Sequence, residues 1–195
     1  MAVIVLTGKC ASGKNAIASA LEDKGYKIIT TVTSRPMRVG EVDLVDYTFV
    51  TREQFEDMIK DGRFIEYRAY NTLVSGIPDV WYYGSVKTEL SDKYDYCIVL
   101  TPDGARKSKE YYGNDCFSVY VDVPDDIREK RAMSRGSFDR TEWERRLKTD
   151  NADFSPDNIS DIDCTIDNTG TLDAAVNLIV RRFEHAKKKA SAAIR

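Results

Sequence analysis

The stretch LTGKCASGKNAIAS, Leu6 to Ser19, decides the fold. Gly8, four intervening residues and Gly13-Lys14 make the frame of a phosphate-binding loop. Context gives the frame its meaning. Ala2–Leu6 is a short continuous apolar run that suits a buried parallel strand. Asn15 to Asp23 reads as a helix ending near Gly25. A glycine-rich turn between a strand and a helix is where backbone N–H groups can cradle phosphates. Lys14 would place its ammonium on the β and γ phosphates of a nucleotide. The frame takes Ser or Thr at the next position, and this chain has Asn15. An amide oxygen can ligate magnesium or hold one of its waters, since that ion keeps most of its waters.

Outward from the loop, strand and helix patterns alternate. Ile28–Val32 predicts a strand, followed by the polar stretch SRPMRVGEVDLVD. Tyr47–Val50 predicts another. Thr51 and Gln54 then form a capping box that opens a helix closing near Gly62. Arg63–Tyr67 reads as strand, Asn71 to Asp79 as loop, and WYYGS leads into a helical pattern through Leu90. Tyr96–Leu100 and Phe117–Val123 are buried-strand candidates, with a Lys/Glu-rich surface helix between them. Asp125–Ser134 and Thr141–Ala152 are charged helices joined by RGSFDR. Cys164–Ile166 is a last strand and Leu172–Lys188 a last helix. The pattern predicts an α/β domain with a parallel sheet.

Composition narrows the chemistry. The chain has 195 residues, 42% hydrophobic and 31% charged, enough for one well-buried α/β domain. A net charge of −3 argues against a general nucleic-acid or anionic-membrane surface. No apolar run approaches the ~18–20 residues of a membrane span. The opening residues lack the pattern of a signal peptide, so the sequence predicts a cytoplasmic protein. His185 is the single histidine, which argues against a Ser-His triad or a multi-histidine metal site. Cys10, Cys97, Cys116 and Cys164 are scattered without a CxxC pair and read as free thiols.

The stretch TVTSRPMRVGEVDLVDYTFV, Thr31 to Val50, resembles the guanylate kinase family pattern R-x-x-R-x-G-E followed by D-Y-x-F. Arg35, Arg38, Gly40, Glu41, Asp46, Tyr47 and Phe49 carry it. FIEY (Phe64–Tyr67), YYGS (Tyr82–Ser85), SRG (Ser134–Gly136) and RRL (Arg145–Leu147) continue the likeness in family order. It runs from Val3 to about Phe183.

The resemblance implies a P-loop three-layer α/β/α core with a parallel sheet, formed by residues 1–31, 86–125 and 150–190. It implies an inserted monophosphate-binding region, residues 32–85, and a helical lid, residues 126–149. The implied reaction is transfer of the γ-phosphoryl of ATP, with Mg2+, to GMP or dGMP. Gly8, Ala11, Ser12, Gly13, Lys14 and Asn15 would hold ATP. Asn168 matches the family's adenine-contacting position, although Asn-Thr-Gly is an equally good turn. Arg35 and Arg38 would supply forked donors to the acceptor phosphate, and Tyr47 and Tyr83 their hydroxyls. Thr31, Gly84, Ser85 and Thr101 complete the acceptor site by resemblance. Glu66 matches the guanine-reading carboxylate: guanine N1–H and its exocyclic amine lie side by side, whereas adenine N1 is an acceptor. Arg135 and Arg146 match the lid arginines that neutralise the transferring phosphoryl group, where positioning and charge do most of the catalysis. Arg131 and Arg140 are left without a role.

The chain departs from the family at the end of the strand Tyr96–Leu100. The family usually places aspartates there, and this chain has Val99 and Thr101. Asp103 and Asp122 are candidate substitutes. The segment Tyr67 to Tyr82 is longer than usual and carries Pro78 and Trp81. These departures keep two other readings open. One is a kinase of this fold with another nucleotide or a phosphorylated sugar as acceptor; the other is an inactive protein-binding module.

Overall fold

All six residues of Ala2–Thr7 are buried, and they form the first strand, β1. A strand with no exposed face belongs inside a sheet covered on both sides. The computed structural model describes residues 2–74, 77–134 and 138–193. After β1 come α1 (Lys14–Asp23), β2 (Lys27–Ile28), β3 (Val32–Thr33), β4 (Thr48–Phe49) and α2 (Arg52–Lys60). The long strands β5 (Phe64–Val74) and β6 (Ile77–Val86) follow, then β7 (Asp95–Val99), α3 (Pro102–Tyr112) and β8 (Cys116–Asp122). The chain ends with α4 (Asp125–Met133), α5 (Arg140–Asp153), α6 (Pro156–Ile159), β9 (Cys164–Asp167) and α7 (Leu172–Ala193). Two compact units result, Met1–Ile28 with Ser91–Arg195, and Ile29–Leu90.

The first unit holds a five-stranded parallel sheet in the order β2-β7-β1-β8-β9. From β1 the chain crosses through α1 toward β2, and from β7 it crosses back through α3 to β8. Right-handed crossovers in opposite directions put the two helices on opposite faces. Ile4 and Leu6 of β1 share one cluster with Ile17 and Leu21 of α1 and Val176, Ile179 and Phe183 of α7. The α7 residues recur at helical spacing and make a single buried stripe. Each such side chain, fully buried, contributes about 1.5–3 kcal/mol. The sheet holds the loop after β1 on a rigid base.

The second unit is a four-stranded mixed sheet, β4-β3-β6-β5, with α2 against it. The predicted capping box is formed in full: Gln54 N–H donates to the Thr51 hydroxyl, and the Gln54 side chain accepts from Thr51 N–H. Phe55 of α2 is fully buried between the rings of Phe64, 4.4 Å away, and Tyr82, 5.2 Å away, both stacked on it.

Three sequence expectations are corrected. The predicted strand Ile28–Val32 is two short strands, β2 and β3, in different sheets. One apolar run crosses the boundary between units, and apolar character cannot reveal which sheet receives it. Residues 71–74 and 77–79 of the predicted loop Asn71 to Asp79 are strand, residues 75–76 lie outside the described residues, and the helix from WYYGS through Leu90 does not form. Instead β5 and β6 pair antiparallel from Phe64↔Val86 to Val74↔Ile77. Pro78 is tolerated in this strand because it lies where β6 has only β5 as a neighbour, so its missing N–H breaks no ladder on the open side. The short helix α6 had no counterpart in the sequence reading.

Candidate functional site

The loop after β1 is shaped by two close approaches. A Cβ on Gly8 would lie 2.7 Å from both the Val121 carbonyl and the Ser12 hydroxyl. Gly13 has φ +99°, and a Cβ there would lie 2.5 Å from Asn168 Nδ2. Both glycines of the frame are therefore fixed by space, and Gly13 also by backbone conformation. Ala11 is left-handed at φ 60° without being glycine. Lys14 folds back over the loop and donates from Nζ to the Gly8 carbonyl at 2.6 Å and the Lys9 carbonyl at 3.0 Å. The Thr7 and Ser12 hydroxyls are buried with no hydrogen-bond partner among the described residues. Amides at a helix start and a lysine form a donor set that suits phosphate oxygens.

Asn168 is buried and braces this loop. Its Nδ2 donates to the Ser12 carbonyl at 2.8 Å, and its own N–H donates to the Asp122 carbonyl at 3.0 Å. Arg131 joins them, donating to the Asn168 carbonyl at 2.7 Å and the Ser12 carbonyl at 3.4 Å.

Helices α4 and α5 supply further side chains to the loop. Cys10 N–H donates to Asp150 Oδ2 at 2.7 Å, and Arg128 Nη1 donates to the Cys10 carbonyl at 2.9 Å and to Asp150 at 3.1 Å. Arg146 donates to Glu142 at 2.6 Å and reaches the Cys10 sulfur at 3.5 Å. Burial works against the Arg146 charge, but Glu142 and Cys10 outweigh it and its pKa goes up. Arg145 is the main cause that holds the Glu142 carboxyl at about 2, with Arg146 reinforcing it against burial. Arg135 lies outside the described residues. The sequence reading missed Arg128 and Asp150. Only the Asp125–Arg128 spacing on one helix hinted at a pair, and it did not point to the loop.

Asn15 is exposed on the first turn of α1. Among the described residues, no group of three or more His, Cys, Asp or Glu side chains could hold a metal ion. Asn15 offers an amide oxygen where the loop frame takes a hydroxyl, an acceptor type that suits a magnesium-bound water. At the end of β7, Val99 packs partly buried against the core. Thr101 caps α3, accepting from Gly104 N–H at 3.2 Å. Asp103 is paired with Arg106 and Lys107 on α3. Asp122 is exposed at the end of β8. Burial, and then the Asp122 charge, push the neighbouring Tyr120 phenol up to about 12.

In the second unit Arg35 is 3% exposed and grips Glu41 with both Nη atoms, at 2.9 and 2.8 Å. Its guanidinium lies 5.4 Å from the Tyr47 ring centre and 5.6 Å from that of Phe49. Hydrogen bonding from Arg35 is the main cause that lowers the Glu41 pKa. Glu41 also accepts from Arg38 N–H at 2.7 Å, so it fixes the backbone that carries Arg38, whose residue is exposed. Tyr47 and Tyr83 meet edge-on at 6.0 Å, and Tyr70 meets Tyr83 at 5.5 Å. Arg35, Tyr47 and Tyr83 thus form one cluster. Burial, and then Tyr83, raise the Tyr47 pKa.

Glu66 follows a register shift in β5 that brings it opposite Ser85, whose hydroxyl donates to Glu66 Oε1 at 3.3 Å. Gly84 is required here by packing: a Cβ would lie 2.8 Å from the Phe64 ring and 3.0 Å from the Glu66 carbonyl. Thr31 accepts from Thr48 N–H through its carbonyl at 2.9 Å and sits beside β4. Thr101 belongs to the other unit.

A sequence model described as guanylate kinase matches residues 1–89, which include the glycine loop and nearly all of the second unit. A guanylate kinase from Mycoplasma mobile is 34% identical over 160 residues, 75% of each chain. A guanylate kinase structure from Anaplasma phagocytophilum superposes with a TM-score of 0.65, covering 94% of this chain and 85% of that one at 22% identity. A gluconokinase structure from Sinorhizobium meliloti superposes with a TM-score of 0.57, covering 100% and 98% at 13% identity. The last two likenesses concern the fold.

Proposed function

Because this chain belongs to the guanylate kinase family, we propose that it transfers the γ-phosphoryl group of ATP to GMP or dGMP. The observation that carries the reading is the glycine loop. Gly8 and Gly13 leave no room for a side chain, and Lys14 Nζ lies over the Gly8 and Lys9 carbonyls. Loop amides and Lys14 hold the donor phosphates in this reading. Arg35, Arg38, Tyr47 and Tyr83 receive the acceptor phosphate, and Glu66 with Ser85 reads guanine. Arg35 is already paired with Glu41, so it meets phosphate with charge partly committed. Arg38, exposed on the same turn, is the more available of the two. Arg135 and Arg146 neutralise the migrating charge, and helices α4 and α5 serve as the lid. No side-chain nucleophile is needed, because catalysis of this reaction rests on alignment and charge. Asn15 would hold magnesium through water, and the ion would supply positive charge against the phosphates.

One observation favours a different acceptor. The end of β7 carries no carboxylate, and the Thr101 hydroxyl is engaged in capping α3. A single assay separates the readings: ADP release from Mg-ATP with GMP, dGMP, AMP, CMP, UMP or no acceptor, with Lys14→Ala as control. Turnover that requires GMP or dGMP and vanishes in the control supports the proposal. Folded protein that turns over none of these nucleotides refutes it.

A further inference from the structure

Cys10 is held from outside the loop at all three of its polar groups. Asp150 accepts from its N–H, Arg128 donates to its carbonyl, and Arg146 donates to its sulfur. The Arg128 side chain is fully buried and also donates to Asp125 Oδ1 at 2.6 Å. Its guanidinium lies 5.5 Å from the ring of Trp143, itself 5% exposed. Burying an arginine is costly unless its donors are satisfied, and here one of them is spent on a loop carbonyl. The next residue, Ala11, is in the left-handed region, which a non-glycine residue enters only at a cost. Something must hold the chain there. The Cys10 peptide groups are held immediately before it, so the pair that holds them fixes the direction in which the following amides point.

We propose that Arg128 and Asp150 are positioning residues that set the backbone of the Gly8–Lys14 loop for the donor triphosphate and couple it to helix α5. This rests on reading that loop as the donor site. Asp150 and Arg146 lie four residues apart on α5, one turn of the helix. The helix that brings an arginine toward the migrating phosphoryl group thus also grips the loop that binds the donor. A shift of α5 that withdraws Arg146 also pulls Asp150 from Cys10 N–H. Grip and charge neutralisation are set together.

The test measures equilibrium binding of Mg-ATP and of GMP to the full chain, alongside steady-state kinetics. The variants are Asp150→Ala, Asp150→Asn and Arg128→Lys. Asp150→Ala removes the acceptor for Cys10 N–H, and its Kd and KM for ATP should rise about tenfold. Its Kd for GMP should stay within about twofold of the unaltered protein. Asp150→Asn keeps an oxygen acceptor at the same place and should recover most of the ATP affinity. Arg128→Lys cannot bond the Cys10 carbonyl and both carboxylates in the same fork, and should weaken ATP binding in the same selective way. If Asp150→Ala does not fold, Asp150→Asn and Arg128→Lys, checked by circular dichroism, carry the comparison. Variants that are folded and bind ATP like the unaltered protein overturn the proposal alone. Equal loss of ATP and GMP affinity also overturns it, since that marks general destabilisation. Unaltered protein that binds no Mg-ATP overturns the donor-site reading and this proposal with it.

Discussion

Gly13→Ala tests the loop geometry most directly. The position has φ +99°, outside the comfortable range of an L-residue, which costs roughly 1–2 kcal/mol. The added methyl would also lie 2.5 Å from Asn168 Nδ2, an atom pinned by its bond to the Ser12 carbonyl. Asn168 is buried and cannot swing into solvent, so that bond must break. Losing it costs about 1 kcal/mol, and the Ser12 carbonyl keeps only the long contact from Arg131. The sum is about 2–3 kcal/mol of stability, to be read from urea unfolding curves at constant slope. A double-mutant cycle separates the two parts. Asn168→Ala should cost about 1 kcal/mol alone and almost nothing in the Gly13→Ala background, where the bond is already lost. Mg-ATP affinity should fall with the single glycine change, because the helix start that aims the amides is displaced. A Gly13→Ala protein with unchanged unfolding midpoint and unchanged ATP affinity would refute the reasoning. Additive costs in the cycle would refute its steric part.

Three further outcomes follow from particular contacts. Glu66→Gln should lower kcat/KM for GMP by about 100-fold or more while leaving KM for ATP unmoved, since a neutral amide cannot accept from two adjacent guanine donors; equal activity with GMP would remove Glu66 from base reading. Alkylation of the native protein near pH 8 should modify the half-exposed Cys10 and spare Cys97, whose thiol burial pushes far up, and Cys116, pushed up to about 12 chiefly by burial. Mg-ATP should protect Cys10, and mass spectrometry of labelled peptides reads both results. Glu142 has its carboxyl lowered to about 2, so its contribution is full above the unfolded value near 4.5 and is lost as pH falls toward 2. Glu142→Gln should therefore flatten the fall in stability between those pH values; the pair is partly exposed, so the effect is small.

Sequence legibility follows how local each physical cause is. The strand–loop–helix at the start was legible because its parts are adjacent: a buried run, two glycines and a lysine, and a helix pattern. The Thr51–Gln54 capping box was legible for the same reason, since both bonds span three residues. The β5–β6 pairing was misread because Asn71 and Pro78 are ordinary loop residues, and only their cross-strand partners Val80 and Leu73 make them strand. The register shift that sets Glu66 opposite Ser85 leaves no trace in the sequence either. Glu66 could be singled out only through the family resemblance. Arg128 and Asp150 were hidden most thoroughly. They bind Cys10 at separations of 118 and 140 residues, and on their own helices they look like any charged surface residue.

This also explains why Asn15 need not disqualify the loop. The shape of the loop is held by backbone groups and their partners: Gly8 against Val121, Gly13 against Asn168, Cys10 between Arg128 and Asp150. None of these contacts involves the side chain at position 15, which projects from an exposed turn of α1. A hydroxyl there would add one ligand type for magnesium, an ion that keeps most of its waters. Losing that ligand would weaken one contact, whereas losing Gly13 or the grip on Cys10 would release backbone contacts that shape the loop itself. Donor binding should therefore be far more sensitive to the buried braces on α4, α5 and Asn168 than to the residue after the lysine.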